Sequence, residues 1–330
     1  MNTTAVSIIM PMFNEEKFIK VCIQSIIVQD FKFWELIIVD DFSTDCSYDL
    51  AKSFSEKDAR ISVRKNSRKG IIPALQLAFN LSKGDLITRM DADDIMPINK
   101  IAILHSNLVK YGRGNIVSGK VEYFSDGILQ NGFKKYEAWI NGQAFYPNIY
   151  KECTLPSACW MAYREDLKEI GAFDVSRYPE DYDLVFRMYQ NKLKIHGIDQ
   201  VLHLWRDHPA RASRNDPHYQ DQNFFPLKLF YFNQVDRMEQ KPLYLWGAGK
   251  KGKLLARLMV EEEMSFIWVT QNEKKIGKHI YDQLLLDASQ LKSEFDKQVI
   301  TAISATDFNL KRSEILTEVH YYGNVYFHFC

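Results

Sequence analysis

The chain has no net charge, no paired cysteine motif and no apolar run of membrane-spanning length. Lys plus Arg and Asp plus Glu both number 42 in its 330 residues. It therefore lacks the basic surplus of most nucleic-acid-binding proteins, and no nucleic-acid partner is expected. Its five cysteines, Cys22, Cys46, Cys153, Cys159 and Cys330, are odd in number and scattered, with no C-x-x-C spacing. That excludes neither thiol chemistry nor burial, but it argues against a disulfide framework and against a zinc site. No segment approaches the roughly 18 apolar residues that a membrane span needs. The Met1–Ala5 start carries no charged region of a secretory signal. A cytoplasmic protein is expected, with peripheral contact at the inner face of the membrane still compatible. There is no internal repeat and no low-complexity tract. Composition is ordinary for a globular protein, 46% hydrophobic and 25% charged, and the length points to two domains.

What is there is concentrated in Thr88-Arg89-Met90-Asp91-Ala92-Asp93-Asp94. It follows Leu86-Ile87, which reads as a buried strand. Three clustered carboxylates repel one another and cannot share a dry core. A divalent cation carrying a diphosphate would resolve the conflict, because Mg²⁺-type ions take one or two carboxylates plus substrate phosphates. The bland alternative is a solvated acidic turn.

Patterning places these acids on an architecture. Residues 6–13 read as a buried strand. Asn14 is placed to cap the following helix, with Glu15 and Glu16 in its first turn. Phe18, Ile19, Cys22, Ile23, Ile26 and Ile27 form its apolar stripe. A second strand over 35–39 ends at Asp40-Asp41, and Ser43 or Thr44 opens the next helix. A third strand covers 61–64 and a helix covers 71–81, with Gly84 as its left-handed cap. A fourth strand covers 85–90. Strand alternation would set Asp91 and Asp93 on one side. Alternation of strand and helix implies a mostly parallel sheet with helices on both faces. Such sheets bind ligands beyond the carboxyl ends of their strands, where Asn14, Asp40, Asp41, Asp91, Asp93 and Asp94 all fall. Further on, a helix is expected at 100–111, strands at 115–124, 157–163 and 200–206, and a helix opening at Glu180-Asp181.

The ordered set Pro11-Met-Phe13-Asn14-Glu15, Val39-Asp40-Asp41-x-Ser43-x-Asp45, Asp91-x-Asp93-Asp94 and Glu180-Asp181 resembles the family 2 glycosyltransferases of the GT-A fold. Gly70-x-x-x-Ala74 and Gly84-Asp85 fit the same spacing, with Gln76 where Asn is usual. The resemblance covers about residues 5–215. The Q-x-x-R-W motif of processive polysaccharide synthases is absent, which suggests transfer of one or a few sugars. The resemblance implies an inverting transferase that moves sugar from a nucleotide-sugar, a UDP-sugar by expectation, to a glycan or lipid-linked hydroxyl. Pro11, Phe13, Asn14 and Glu15 would line the base and ribose pocket, and Asp41, with Asp40, would accept a base N–H. Asp91 would contact ribose and Asp93 would hold Mn²⁺ or Mg²⁺. Asp181 would be the base, with Glu180 on the acceptor. A helix-start position lowers a carboxyl pKa, and these two acids are equally ordinary first-turn residues. Arg68 and Lys69 would steady the diphosphate, or be solvated loop cations. His208 falls where some members place a metal- or phosphate-binding His. Arg206, Arg211 and Arg214 make residues 207–218 a locally basic loop able to close as a lid.

The remainder reads as an aromatic connector over 221–241, able to touch a membrane or to pack between domains, and a Rossmann-like domain over 242–330 after a GT-A domain of 1–220. Gly247-x-Gly249-x-x-Gly252 fits the dinucleotide fingerprint. The acid expected at the end of the next strand is missing, since Thr270-Gln271 stands there. Two rivals stay open: an NAD(P)-dependent sugar-modifying oxidoreductase using this domain, and a non-catalytic nucleotide-sugar binding protein.

Overall fold

The computed structural model describes residues 5–142, 144–174, 177–211, 214, 221–292, 296–303 and 325–330. The chain forms two compact units, Met1–Tyr146 with Thr154–Asp216, and Pro147–Cys153 with Pro217–Cys330.

The first unit is a mixed α/β fold around one seven-stranded sheet. Its strands are β1 (Val6–Met12), β2 (Trp34–Asp40), β3 (Ile61–Lys65), β4 (Leu86–Arg89), β5 (Asn115–Phe124), β6 (Trp160–Tyr163) and β7 (Lys194–Arg206). They lie in the order β3-β2-β1-β4-β6-β5-β7. The first four are mutually parallel, β6 runs antiparallel between β4 and β5, and β5 pairs parallel with β7. A strand in the middle of such a sheet is covered on both faces, so it needs a continuous apolar run rather than alternation. β1 and β2 are of that kind, with Ile8, Ile9, Met10, Leu36, Ile38 and Val39 fully buried.

The intervening helices are α1 (Ile19–Ile27), α2 (Ser47–Ser55), α3 (Ile71–Leu81) and α4 (Lys100–Tyr111). α1 buries Ile19, Cys22, Ile23 and Ile26, the i, i+3, i+4, i+7 face of one helix. Past β5 come α5 (Asn131–Asn141), α6 (Arg164–Glu169) and α7 (Glu180–Gln190). α5 is an additional helix beyond the expected elements, with Phe133, Tyr136 and Ile140 at helical spacing.

Several local expectations are corrected. Asn14 does not cap α1, which starts at Ile19 with no acid in its first turn. Asn14 instead turns the chain in the left-handed region, φ 55°. α2 opens at Ser47, not at Ser43 or Thr44. Gly84 is no left-handed cap, since α3 is closed by Ser82 in an extended conformation. Glycine is required there by close approach, because a Cβ would stand 2.5 Å from Ala5 O and 2.7 Å from Ser7 Oγ. β4 ends at Arg89, so Asp91–Asp94 is a turn, closed by Asp94 N–H to Asp91 O at 3.3 Å. Strand alternation therefore does not govern where those acids point.

The second unit carries a six-stranded sheet in the order β10-β11-β9-β8-β12-β13, from β8 (Leu243–Trp246), β9 (Ile267–Thr270), β10 (His279–Ile280), β11 (Gln283–Asp287), β12 (Gln298–Thr301) and β13 (Val325–His328). All its pairs are parallel except the β10–β11 hairpin. The stretch expected as a connector is helical over Asp221–Tyr231 and continues as a π-helical turn over Phe232–Asp236. Phe225, Leu227, Leu229, Tyr231 and Phe232 are buried. Tyr150 stacks on Phe329 at 5.2 Å and meets Phe327 edge-on. Most of these rings are core, while Phe230 of the same helix is 39% exposed. Among the described residues no helix is long and apolar enough to cross a membrane.

After β8 the chain turns at Gly247, φ 125°, into the helix Lys250–Glu261. A Cβ on Gly247 would stand 2.6 Å from Ala302 O, and one on Gly252 would stand 2.3 Å from Gly247 O. Both glycines serve close packing of turn, helix and sheet.

Candidate active site

The carboxyl ends of β1, β2 and β4 lie side by side, with Met12 opposite Asp40 and Ile9 opposite Arg89. The loop after β1 is stitched to the loop after β2. Asn14 Oδ1 accepts the Thr44 N–H at 2.8 Å, and Asn14 N–H donates to Ser43 Oγ at 2.9 Å. Glu15 and Glu16 N–H donate to Ser47 Oγ and Asp45 Oδ2. These bonds leave the Glu15 side chain to project over the edge of the sheet. Pro11 is half-buried, while Phe13 is 45% exposed and faces Lys69 Nζ at 5.3 Å from its ring centroid. Arg68 is exposed in the same loop as Lys69.

Asp41 and Asp40 part company. Asp41 takes the Gly70 N–H on both oxygens at 2.9 Å and Asn66 Nδ2 at 2.8 Å, which ties the β2 end to the start of α3. Among the described residues, Asp40 Oδ1 is buried with no hydrogen-bond partner. A buried acceptor in that state costs about 1–3 kcal/mol unless a donor reaches it.

The acidic turn sends its three carboxylates three ways. Asp91 Oδ1 accepts from Arg89 Nε at 2.7 Å. Asp94 is 1% exposed and points into the core. Asp93 Oδ2 lies 3.0 Å from His208 Nε2. The Glu15 carboxylate joins that pair, and Glu15, Asp93 and His208 each offer one ligand atom within 4.8 Å of the others. Two carboxylates and an imidazole suit a hard-to-borderline divalent ion such as Mn²⁺. The electrostatics point the same way. Burial, then the charges of Asp93, Asp45 and Asp91, push Glu15 up to about 8 against the pull of Arg206.

Asp181 sits at the start of α7, its Oδ1 accepting the Tyr182 N–H at 2.8 Å. The helix position alone would lower its pKa. Burial and then the charge of Glu180 outweigh that, and outweigh Arg89, raising it to about 7. Such a carboxylate is poised to accept a proton near neutral pH. Glu180 is not turned outward. Its side chain is 3% exposed and Arg89 Nη1 holds it at 3.0 Å.

Arg89, Arg206 and His203 carry roles that sequence reading missed. Arg89 joins Asp91 to Glu180, linking the end of β4 to the start of α7. Its only sequence signal was its place two residues before Asp91. Arg206 Nε donates to Asp93 O at 2.9 Å, and its Nη1 meets Asp126 at 2.9 Å from each oxygen. Arg214 pairs with Asp207. These loop cations are engaged with acids and carbonyls in the first unit. Ser213 and the rest of 212–213 and 215–220 lie outside the described residues, so the lid expectation rests partly there.

In the second unit, β9 ends at buried Thr270, with Gln271 next, so no carboxylate stands at the strand end. Lys275 Nζ donates to Ala248 O within the glycine turn at 2.5 Å.

An α/β unit with an acidic turn and a poised carboxylate at the carboxyl edge of its sheet defines a nucleotide-sugar transferase architecture. The family model for glycosyl transferase family 2 matches residues 7–171, half of the chain, and the protein belongs to that family. The glycosyltransferase GlyA of Streptococcus pneumoniae serotype 4 is 29% identical over 219 residues, 63% of this chain and 31% of that protein. The Escherichia coli enzyme named UDP-Glc:alpha-D-GlcNAc-diphosphoundecaprenol beta-1,3-glucosyltransferase WfgD is 34% identical over 125 residues, 36% of this chain and 49% of that one. The matched regions thus span about a third to a half of these relatives. The crystal structure of S. aureus TarS residues 1–349 with UDP-GlcNAc superposes with a TM-score of 0.56 at 18% identity, covering 77% of this chain and 71% of that one. The fold is GT-A-like.

Proposed function

We propose that the first unit transfers a sugar, with inversion, from a UDP-sugar to a hydroxyl of a glycan or lipid-linked acceptor. The observation that carries this reading is Asp181. It is a half-buried carboxylate whose pKa is raised to about 7, next in the chain to Glu180, which Arg89 joins to Asp91 in the turn that presents Asp93. Base and donor site are thus held by one ion-pair chain. The UDP donor and lipid-linked acceptor are supported by the names of the WfgD and TarS neighbours.

Pro11, Phe13, Asn14 and the Asp40-Asp41 pair form the base and ribose pocket, where Asp40 Oδ1 is a buried acceptor with no donor among the described residues. Asp91 borders the ribose. Exposed Arg68 and Lys69 meet the diphosphate. Asp93 and His208, with Glu15 beside them, would hold Mn²⁺ or Mg²⁺. When bound, that ion supplies Lewis-acid neutralisation of the departing diphosphate. Asp181 takes the acceptor hydroxyl's proton as that oxygen attacks the anomeric carbon opposite the leaving group. Glu180, buried on Arg89, serves the placing of Asp181 rather than touching acceptor.

Within the second unit, the residues from Pro242 on are read as a degenerate Rossmann-like module, following a GT-A domain of 1–220 and the helical segment 221–241. Its parallel strands and glycine turn support that reading, and the missing acid at Thr270-Gln271 speaks against NAD.

Calorimetric titration of UDP, GDP and NAD into the protein, with and without Mn²⁺, tests this. Metal-dependent UDP binding is expected. GDP binding alone would change the donor. NAD binding without response to UDP or GDP would move the chemistry to the second unit and overturn the proposal.

A further inference from the structure

Beneath the acidic turn lies a row of buried ionisable groups that the transfer chemistry does not use. Asp94 Oδ1 accepts the Arg206 N–H at 2.8 Å, and its Oδ2 lies 2.8 Å from His203 Nε2. His203 Nδ1 lies 3.1 Å from Lys100 Nζ, which also donates to Ala158 O at 2.6 Å. His203 and Lys100 are fully buried. An ammonium has only donors, so the ring nitrogen facing Lys100 accepts and the other carries its proton to Asp94. Burial and the Lys100 charge hold the His203 pKa well below its ordinary value, consistent with a neutral ring that donates at one end and accepts at the other.

This row grips both halves of the candidate metal pair. Asp94 is the chain neighbour of Asp93, and Arg206 lies two residues before His208. Arg206 closes the grip by donating from Nε to Asp93 O at 2.9 Å. Ile95 and Leu204 exchange backbone bonds at 3.1 Å in each direction. Stability alone does not account for burying three ionisable side chains, since apolar residues of similar volume serve a core as well or better.

We propose that Asp94, His203 and Lys100 are positioning residues that lock the Asp91–Asp94 turn to the end of β7 and so set Asp93 and His208 at cation-binding distance. The inference rests on the metal reading above and extends it to groups that touch neither ion nor substrate.

The test is Mn²⁺ titration of the full chain, followed by the loss of the free-ion electron paramagnetic resonance signal, in the wild type and in His203→Leu, His203→Gln and Asp94→Asn. The amide of the Gln variant offers a donor and an acceptor in place of the two ring nitrogens. Loss of a supporting partner of a metal ligand commonly weakens binding roughly 10- to 100-fold. That loss is expected for His203→Leu and Asp94→Asn, with His203→Gln close to wild type. A folded His203→Leu that binds Mn²⁺ like the wild type overturns the inference, as does a Gln variant as weak as the Leu variant. Should His203→Leu fail to fold, Asp94→Asn decides, because it keeps an acceptor for Arg206. A wild type that binds no Mn²⁺ refutes the metal reading itself. The positioning role is then judged without metal, from the His208 ring signals in proton–nitrogen spectra, assigned with His208→Gln. A His208 signature of bonding to Asp93 that persists in His203→Leu and Asp94→Asn overturns it, and its loss supports it.

Discussion

Replacing Arg89 with methionine should cost the first unit stability and shift its pH dependence together. The Arg89 and Glu180 side chains are 7% and 3% exposed, with 3.0 Å between Nη1 and Oε1. Removing one partner of such a pair costs about 3–5 kcal/mol, since the other is left charged or protonated in a dry site. The lost contact to Asp91 adds little, because that carboxylate is 21% exposed and reaches water. At roughly 2–4 °C per kcal/mol for a unit of this size, the melting temperature should fall by roughly 6–20 °C. Arg89 also pulls the Asp181 pKa down. Without it that pKa rises above about 7, and a base that must be ionised loses activity at correspondingly higher pH. Circular dichroism melts give the first quantity, and the pH profile of UDP release under limiting donor and acceptor gives the second. Pairing Arg89→Met with Glu180→Leu should restore much of the stability, because both charges then leave the core together. A single variant that melts within about 2 °C of wild type, less than about 1 kcal/mol, would refute the assigned burial energetics. An unmoved acidic limb would refute the electrical link to Asp181.

Four further outcomes follow from the same geometry. The wild-type kcat/KM should fall about tenfold per pH unit below about 7 and level off above it, the pKa assigned to the base. Asp181→Asn should keep UDP binding by calorimetry while transfer drops roughly 10²- to 10⁴-fold, and an undiminished rate would remove Asp181 from the role of base. Chelation should abolish donor turnover, with Mn²⁺ restoring it in the wild type but not in Asp93→Ala, as read by UDP release. Gly84→Ala should lower the melting temperature, because its Cβ would stand 2.5 Å from Ala5 O, and forced overpacking typically costs about 1–3 kcal/mol.

The sequence by itself determined the elements and the edge of the sheet where polar groups gather. α3 and α4 match the ranges read from periodicity, 71–81 and 100–111. β1, β2 and β4 carry apolar runs that burial on both faces demands, and the acids beyond them had to lie at the carboxyl edge. Local chemistry was less legible. Asn14, Gly84 and the start of α2 were read as caps, yet what acts on them is a neighbouring loop or strand distant in the chain. α5 was legible in the same way as α3 and α4, since Phe133, Tyr136 and Ile140 recur at helical spacing and Ile140 is buried.

Tertiary structure alone decided what each acid does. Asp91, Asp93 and Asp94 are indistinguishable as letters, but Asp91 pairs with Arg89 two residues back, while Asp93 and Asp94 meet His208 and His203, more than a hundred residues on, at the end of β7. One therefore pairs, one joins Glu15 at a candidate metal site, and one is buried as a clamp. Glu180 and Asp181 separate in the same way. The first is neutralised by a buried guanidinium, while the second is left beside it with its pKa raised. The physical reason is common to both cases. Hydrophobic periodicity is written along the chain, whereas the protonation and pairing of a carboxylate depend on burial and on charges a few ångströms away in space. No local pattern encodes those neighbours.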